Sequence, residues 1–465
     1  MKSNRGQILI QAIVFGSVAI FLLGALLGWA SLNIKAGRQA FNRESALQIA
    51  EAGIDYYRWH LAHAPTDFQD GTGGPGPYVH DFRDKNDNII GQFSLTITPP
   101  PLGSTLVTIT ATGTTSADPS ISRTIVARLA KPSFAKYAWV LNSEFVRFGD
   151  TAEVFGPIHS NTGIRFDGRA HNAVTSALAT YNDPDHLGSD EFGVHTHGNS
   201  LDPGSDPLPP SAVPNRPLIF ESGRQFPVPA VDFAGITVDL ASMKSNAQAN
   251  GVYLANSGAL GYRINLRTND TFDVYRVNSV VPACGPATWS ISGETFIQNY
   301  PNPANGIIFV EDHTWVSGQI NTARLIIASG RLPDSPVTRT NIIVNNDLLY
   351  TNYDGSDVIG LVAQGNFYVG LVSEDNLRVD AAIIAQNGYI SRPSYPSSSC
   401  GPTRRRTLFT SYGMLGSNLR PAFVYSSSNG YQSRVYIYDA NLLYGPPPSF
   451  PLTSDQYITL TWEEK

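Results

Sequence analysis

The stretch from Tyr181 to Pro217 gathers two kinds of metal-binding group into one short, turn-rich segment. Within "YNDPDHLGSDEFGVHTHGNSLDPGSDPLPPSAVPNRP" stand Asp183, Asp185, His186, Asp190, Glu191, His195, His197, Asp202 and Asp206. Carboxylate oxygens suit Ca²⁺, whereas an H-x-H pair suits Zn²⁺ or Cu²⁺. No D-x-D-x-D-G frame with a distal Glu is present, so the segment is not an EF-hand. On an extended strand His195 and His197 share a face. Asp183, Asp185, His195 and His197 are the candidate cation ligands, with Ca²⁺ the candidate ion; a plain hydrophilic loop accounts for the same residues, and no cofactor is expected.

Other groupings carry weaker chemistry. Glu311, Asp312 and His313 are consecutive, and Asp375 and Asp380 flank Arg378. Glycoside hydrolysis and polysaccharide lysis need paired carboxylates, or a carboxylate beside a base, on one face. Nothing in the sequence brings these residues to a common face, and no G-x-S-x-G, P-loop or dinucleotide fingerprint stands between a strand and a helix. The chain reads as a non-enzyme. The run Arg404–Arg406 could hold phosphate oxygens, but solvated arginines explain it equally, and a nucleic-acid partner is not expected. The only two cysteines, Cys284 and Cys400, each sit in a "CGP" triplet. A zinc site would need further ligands at C-x-x-C spacing, so a disulfide is the expected state, which requires export.

Composition frames these candidates. The 465 residues include only 15% charged side chains, against 41 Gly and 32 Pro. That is well below the usual quarter or so of charged residues, and it suits a turn-rich, mainly β, exported chain. The net charge of −6 gives no bulk attraction for a polyanion.

The N-terminus supplies the anchor. Between Arg5 and Lys35 there is no charged residue, and Ile8 to Ser31 is long enough to cross a bilayer as a helix, with Lys2 and Arg5 marking the cytoplasmic side. The pattern then continues: Leu47, Ala50, Ile54, Tyr57 and Leu61 fall on one helical face, opposite Arg43, Glu44, Gln48, Glu51, Asp55 and Arg58. No proline interrupts Gly6 to Ala64. A cleaved secretory signal has a shorter apolar core and a small-residue cleavage site; the alternative of an uncleaved signal-anchor stays open.

A short basic leader ending in Gly, an apolar helix and an amphipathic continuation together resemble a type IV pilin. "RGQILIQAIVFG" followed by "QIAEAGI" resembles, more narrowly, the PilX-type minor pilins. The resemblance implies that prepilin peptidase cuts after Gly6, leaving Gln7 as the mature N-terminus and residues 1–6 as leader. It also implies partnership with other pilins, inner-membrane assembly proteins and membrane lipid. Gln11 stands where most pilins carry Glu, the group that in that family pairs with a neighbour's N-terminal amine. Gln accepts a hydrogen bond there but brings no charge, which points to a minor, initiating or tip-located subunit. The implied location is the inner membrane, single-pass with a cytoplasmic N-terminus, and finally a pilus or the cell surface.

Beyond the helix (7–64), "GQFSLTITP", "STLVTITATGTT" and "ISRTIVARLA" read as strands separated by "PPPLG" and "SADPS". Helix and strands up to residue 130 resemble the pilin α/β roll, with residues 65–130 as its antiparallel sheet. From 131 to 465 the pattern becomes short apolar strands with Asn, Gly and Ser between them: "RLIIASG" at Arg324, "NIIVNNDLLY" at Asn341, "GLVAQGNFYV" at Gly360, "AAIIAQNGYI" at Ala381 and "TLFTSYGMLG" at Thr407. Spacings near 20 to 25 residues mark a solenoid, so a parallel β-helix is expected, with a β-sandwich as the rival. Insertions interrupt it around 180–215 and 234–305. "GPIHSNTGIRFDGRAHNAVTSA" resembles a pattern in exported PilX-like proteins with β-helical domains. The expected protein is a membrane-anchored minor pilin or tip adhesin with a surface or glycan ligand. The alternative is a signal-anchored β-solenoid that binds or cleaves polysaccharide.

Overall fold

The computed structural model describes residues 5–100, 104–150, 152–186 and 188–465, with residues 5–7 described by backbone alone. Residues 1–4, most of the expected leader, lie outside the described residues. The chain forms two units. One takes the chain up to Pro99 together with Val107–Ala130 and Tyr457–Lys465; the other holds Pro100–Leu106 and Lys131–Gln456.

The first unit is built on α1 (Arg5–His63), 59 residues long, or about 88 Å at 1.5 Å per residue. Its apolar N-terminal part is exposed throughout and long enough to cross a membrane. Its C-terminal part buries Ala46, Ile49, Ala50, Ile54, Tyr57 and Leu61, and Pro65 ends it by removing a donor and crowding the preceding turn. Four antiparallel strands receive that face: β1 (Tyr78–Arg83), β2 (Ile89–Thr98), β3 (Val107–Thr115) and β4 (Asp118–Ala130). In β3 every second residue is buried, so Val107, Ile109 and Ala111 pack with Phe93, Leu95, Ile125 and Leu129 in one core. Gly113 lets helix and sheet touch: a Cβ there would stand 2.1 Å from the Ala46 carbonyl oxygen and 2.5 Å from the Ala50 nitrogen.

One boundary of the sequence reading changes. The final strand, Ile458–Glu464, falls by sequence pattern in the domain beginning at 131, but it pairs antiparallel with β4 (Trp462 opposite Ala127) and completes the first sheet. An open edge on β4 would present unpaired main-chain groups; the returning strand satisfies them. The second unit is therefore an insertion within the first.

The second unit is a β-solenoid whose strands stack in parallel. Ile307–Val310, Arg324–Ser329, Val358–Ala363, Asn376–Ala385 and Arg405–Ser417 follow one another in register. Trp139–Leu141 then stacks on the end of Arg405–Ser417, followed by Ile158–Ser160 and Val174–Ser176. Ile308, Ile327, Leu361, Ile383, Leu415, Trp139, Ile158 and Val174 thus form one column, all buried in a single core. Coil order is not chain order: the first coils lie beyond the last, and the chain reaches the opposite end of the stack at Val252, beside Ile308.

The segment 234–305, read from sequence as an irregular insertion, is ordered structure. It contains α2 (Ile236–Asn250), whose Ile236, Leu240, Met243 and Ala247 are buried in a second core with Phe309, Ala328, Val362, Ile384 and Val140. A helix at this 4-3-4 spacing covers the outward apolar residues of the stacked strands. The same segment contributes antiparallel strands Gly261–Arg267, Thr271–Val280 and Ile291–Pro301. The repeat starting at Asn341 also shifts in phase: Ile342 stacks on Phe367, on a different face from Gly360. Short apolar runs do not identify which face of a coil they occupy.

Gly113→Val places a branched side chain against the main chain of α1, and overpacking of this kind costs about 1–3 kcal/mol or more. Thermal unfolding of the full chain in detergent is expected to show loss of the helix–sheet unit at lower temperature than in wild type.

Candidate metal centre

The hydrophilic segment after Tyr181 folds back on the solenoid through a short hairpin. Thr180–Tyr181 pairs antiparallel with Glu191–Phe192, Tyr181 opposite Glu191. Val194–His195 joins Ile164–Phe166 in parallel, His195 beside Arg165. Gly193 permits the turn between them, since a Cβ there would stand 1.8 Å from the Leu178 carbonyl oxygen. The extended run Glu191, Gly193, His195, His197 therefore sends alternate residues to one side, and Asp183 meets them from the loop that the hairpin closes.

One ligand atom from each of Asp183, Glu191, His195 and His197 lies within 4.8 Å of all the others. Asp183, Glu191 and His195 are buried, His195 to 1% exposure. His195 Nε2 stands 2.7 Å from Glu191 Oε2 and 3.4 Å from Asp183 Oδ2, yet none of these three atoms has a hydrogen-bond partner among the described residues. His195 Nδ1 has none either. The other carboxylate oxygens are engaged: Asp183 Oδ1 accepts from the Asp185 N–H at 2.9 Å, and Glu191 Oε1 lies 3.0 Å from His197 Nε2. His197 is fixed by its own N–H, which donates to Asp167 Oδ1 at 2.8 Å. Burial holds His195 below the ordinary histidine pKa in spite of Glu191 and Asp183. Tyr181, 5.4 Å from the His195 ring, is pushed far above the usual phenol range by burial and then by Asp183 and Glu191.

Three of the four residues singled out from the sequence are thus brought together. Asp185 is not: its carboxylate turns to Arg420 at 3.4 Å. Glu191 takes its place, a residue of the same parity as His195 and His197, so the alternation of an extended strand was the signal that could have found it. His186 flanks the group, its Nδ1 3.4 Å from Glu191 Oε1. Asp202 and Asp206 lie outside it, paired with Arg216 and Arg224. Two imidazole nitrogens and two carboxylate oxygens suit a four-coordinate transition metal; Ca²⁺ wants six to eight oxygens and fits this donor set poorly.

The remaining candidates are occupied by the fold. Glu311 is held by Lys244 and by the Tyr253 hydroxyl at 2.7 Å. Asp312 accepts from Ser257 and from Arg331 at 2.8 Å, and His313 Nδ1 accepts from the Asn341 N–H. Asp380 accepts from Arg378, the Tyr350 N–H and the Tyr353 hydroxyl. The main chain of the arginine run serves buried Arg392, whose guanidinium donates to the Thr403 and Arg404 carbonyls at 2.8 Å. Burial lowers the pKa of Arg392 to about 10. Gly6 and Gln7 lie in the α1 backbone, and Gln11 is exposed on it.

No family model matches the chain, and no curated protein does. Among solved structures it is similar to the competence-associated pilin ComZ from Thermus thermophilus, over 91% of this chain and 97% of that one, at 13% identity and a TM-score of 0.30.

Cys284 and Cys400 form a disulfide across 116 residues, with Cα atoms 5.2 Å apart. It ties the loop before Ile291–Pro301 to the loop before Arg405–Ser417, beside Leu371 and Tyr395. Closing a loop of that length removes up to about 4–5 kcal/mol of unfolded-state entropy in the chain-entropy model. The double variant C284S/C400S is expected to unfold at lower denaturant than wild type, while reducing agent shifts wild type alone towards the variant's curve.

Proposed function

We propose that this chain is a pilin-like subunit, held in the inner membrane by the apolar part of α1 before assembly and packed through that helix into a pilus or pseudopilus afterwards. One observation carries the reading: a single uninterrupted helix has an exposed, charge-free N-terminal part and a C-terminal part buried on an antiparallel sheet. A cleaved secretory signal has no reason to continue as the core helix of a folded unit. Exposed apolar side chains from Ile8 to Phe41 need lipid or other helices around them, and both are supplied in turn along an assembly pathway of this kind.

The solenoid belongs at the tip or at sparse positions, where its bulk is accommodated, as an adhesive or assembly-priming module rather than an enzyme. Support for the non-enzymatic part comes from Glu311, Asp312 and Asp380, whose oxygens are engaged by neighbouring donors. Gln11 supports a minor role, since it offers an acceptor without charge to a neighbouring subunit. A surface or glycan ligand is the partner class that an exported solenoid suits best.

The test is the N-terminal mass of the chain expressed with and without a prepilin peptidase. A mature chain beginning at Gln7 only when the peptidase is present is the expected result. An intact leader in both samples removes the pilin pathway and leaves an anchored β-solenoid.

A further inference from the structure

We propose that Asp183, Glu191, His195 and His197 bind one divalent transition metal ion of the Zn²⁺ type, as a structural centre that fastens the hydrophilic insertion to the solenoid. The inference is independent of the pilin reading.

Three observations point to a ligand. First, the donor set is mixed, two imidazoles and two carboxylates, the composition that four-coordinate zinc sites draw on. Second, the spacing fits. Bonds of about 2.0–2.1 Å in a tetrahedron put ligand atoms roughly 3.3 Å apart; His195 Nε2 lies 2.7 Å from Glu191 Oε2 and 3.4 Å from Asp183 Oδ2, and one atom from each of the four residues lies within 4.8 Å of the rest. Third, Asp183 Oδ2, Glu191 Oε2 and His195 Nε2 are buried and close but make no hydrogen bond to one another. Buried polar atoms are satisfied in the great majority of cases, and atoms that converge without bonding face a common point instead. A metal ion there completes all of them at once.

A competing cation is Arg165, whose Nη1 is 3.9 Å from Asp183 Oδ2, beyond hydrogen-bond reach. Its Nε donates to Asp167 at 2.8 Å, and Asp183 Oδ2 stays without a hydrogen bond among the described residues. Asp167 in turn accepts from the His197 N–H and so places a ligand through the main chain, as groups around metal ligands commonly do. The site draws all four ligands from protein on both arms of the hairpin, Asp183 following Thr180–Tyr181 and the others from Glu191 onward, with three of them buried. That is the form of a structural rather than a catalytic centre.

The experiment uses the untagged full chain in detergent, stripped with chelator and dialysed against Zn²⁺, Co²⁺ or Ca²⁺. Expected are one Zn²⁺ retained per chain by elemental analysis, an intense visible Co²⁺ spectrum of tetrahedral type, and a melting temperature raised by Zn²⁺ but not by Ca²⁺. D183N and H197Q are expected to weaken Zn²⁺ binding at least about 100-fold, beyond the 10–100-fold typical of outer-shell changes, with unchanged far-ultraviolet circular dichroism. D185N is expected to bind as wild type does. Failure of folded wild-type protein to retain Zn²⁺, saturation by Ca²⁺ instead, or Zn²⁺ affinity undiminished from wild type in D183N and H197Q would each overturn the proposal.

Discussion

The pairing of Leu415 with Trp139 is the contact on which the larger unit depends. A solenoid coil cannot bury its own apolar face; it does so only against neighbours. Here two runs of coils, one from each end of the inserted chain, meet at that pair and share a single column of buried residues from Ile308 to Val174. Because the runs meet in the interior of the stack, its outer ends are formed mid-sequence, and the chain must travel from one to the other. It does so along 226–251, and α2 uses the passage to bury Leu240 and Met243 over the outward-facing Phe309 and Val362. At the base, Ser133 bridges Leu452 and the Thr453 N–H donates to the Pro132 carbonyl, so entry and exit are fastened together. That closure allows the unit to be spliced between β4 and the strand that completes its sheet.

Amides reinforce the same junction. Asn161 donates to Asn142 and Asn142 to Asn418, each at 2.7 Å, a ladder that crosses from the first coils to the last. Asn366 donates to Asn341 at 3.0 Å on another corner. Stacked amides satisfy buried turn backbone that would otherwise cost about 1–3 kcal/mol per unmet group. Against this background of engaged polar groups, the Asp183–Glu191–His195 cluster departs from the rule, and a departure of that kind is where function is sought.

In the first unit, one helix serves two environments. Ala46, Ala50 and Gly113 bring α1 close to its sheet through small residues, whereas the stretch from Ile8 is covered by large apolar side chains with no protein around them. The change from one to the other occurs without a break in the helix, so whatever holds the apolar part is mechanically continuous with the sheet.

The sequence alone determined what depends on local periodicity. A charge-free run of bilayer length, the three-and-four spacing of Ala50, Ile54, Tyr57 and Leu61, and the alternation of Phe93, Leu95 and Ile97 fix helix and strands because each is set by which side chains share a face. The parallel β-solenoid was legible for the same reason, through short apolar strands punctuated by amides, and so was the H-x-H pair. What only the tertiary structure decided was which segments meet. Leu415 on Trp139, Trp462 opposite Ala127, α2 over Val362, and Glu191 rather than Asp185 beside His195 are all pairings between distant or loop-separated residues. A strand's pattern states which face it must bury but not against what; the partner is chosen by the closure of the whole stack.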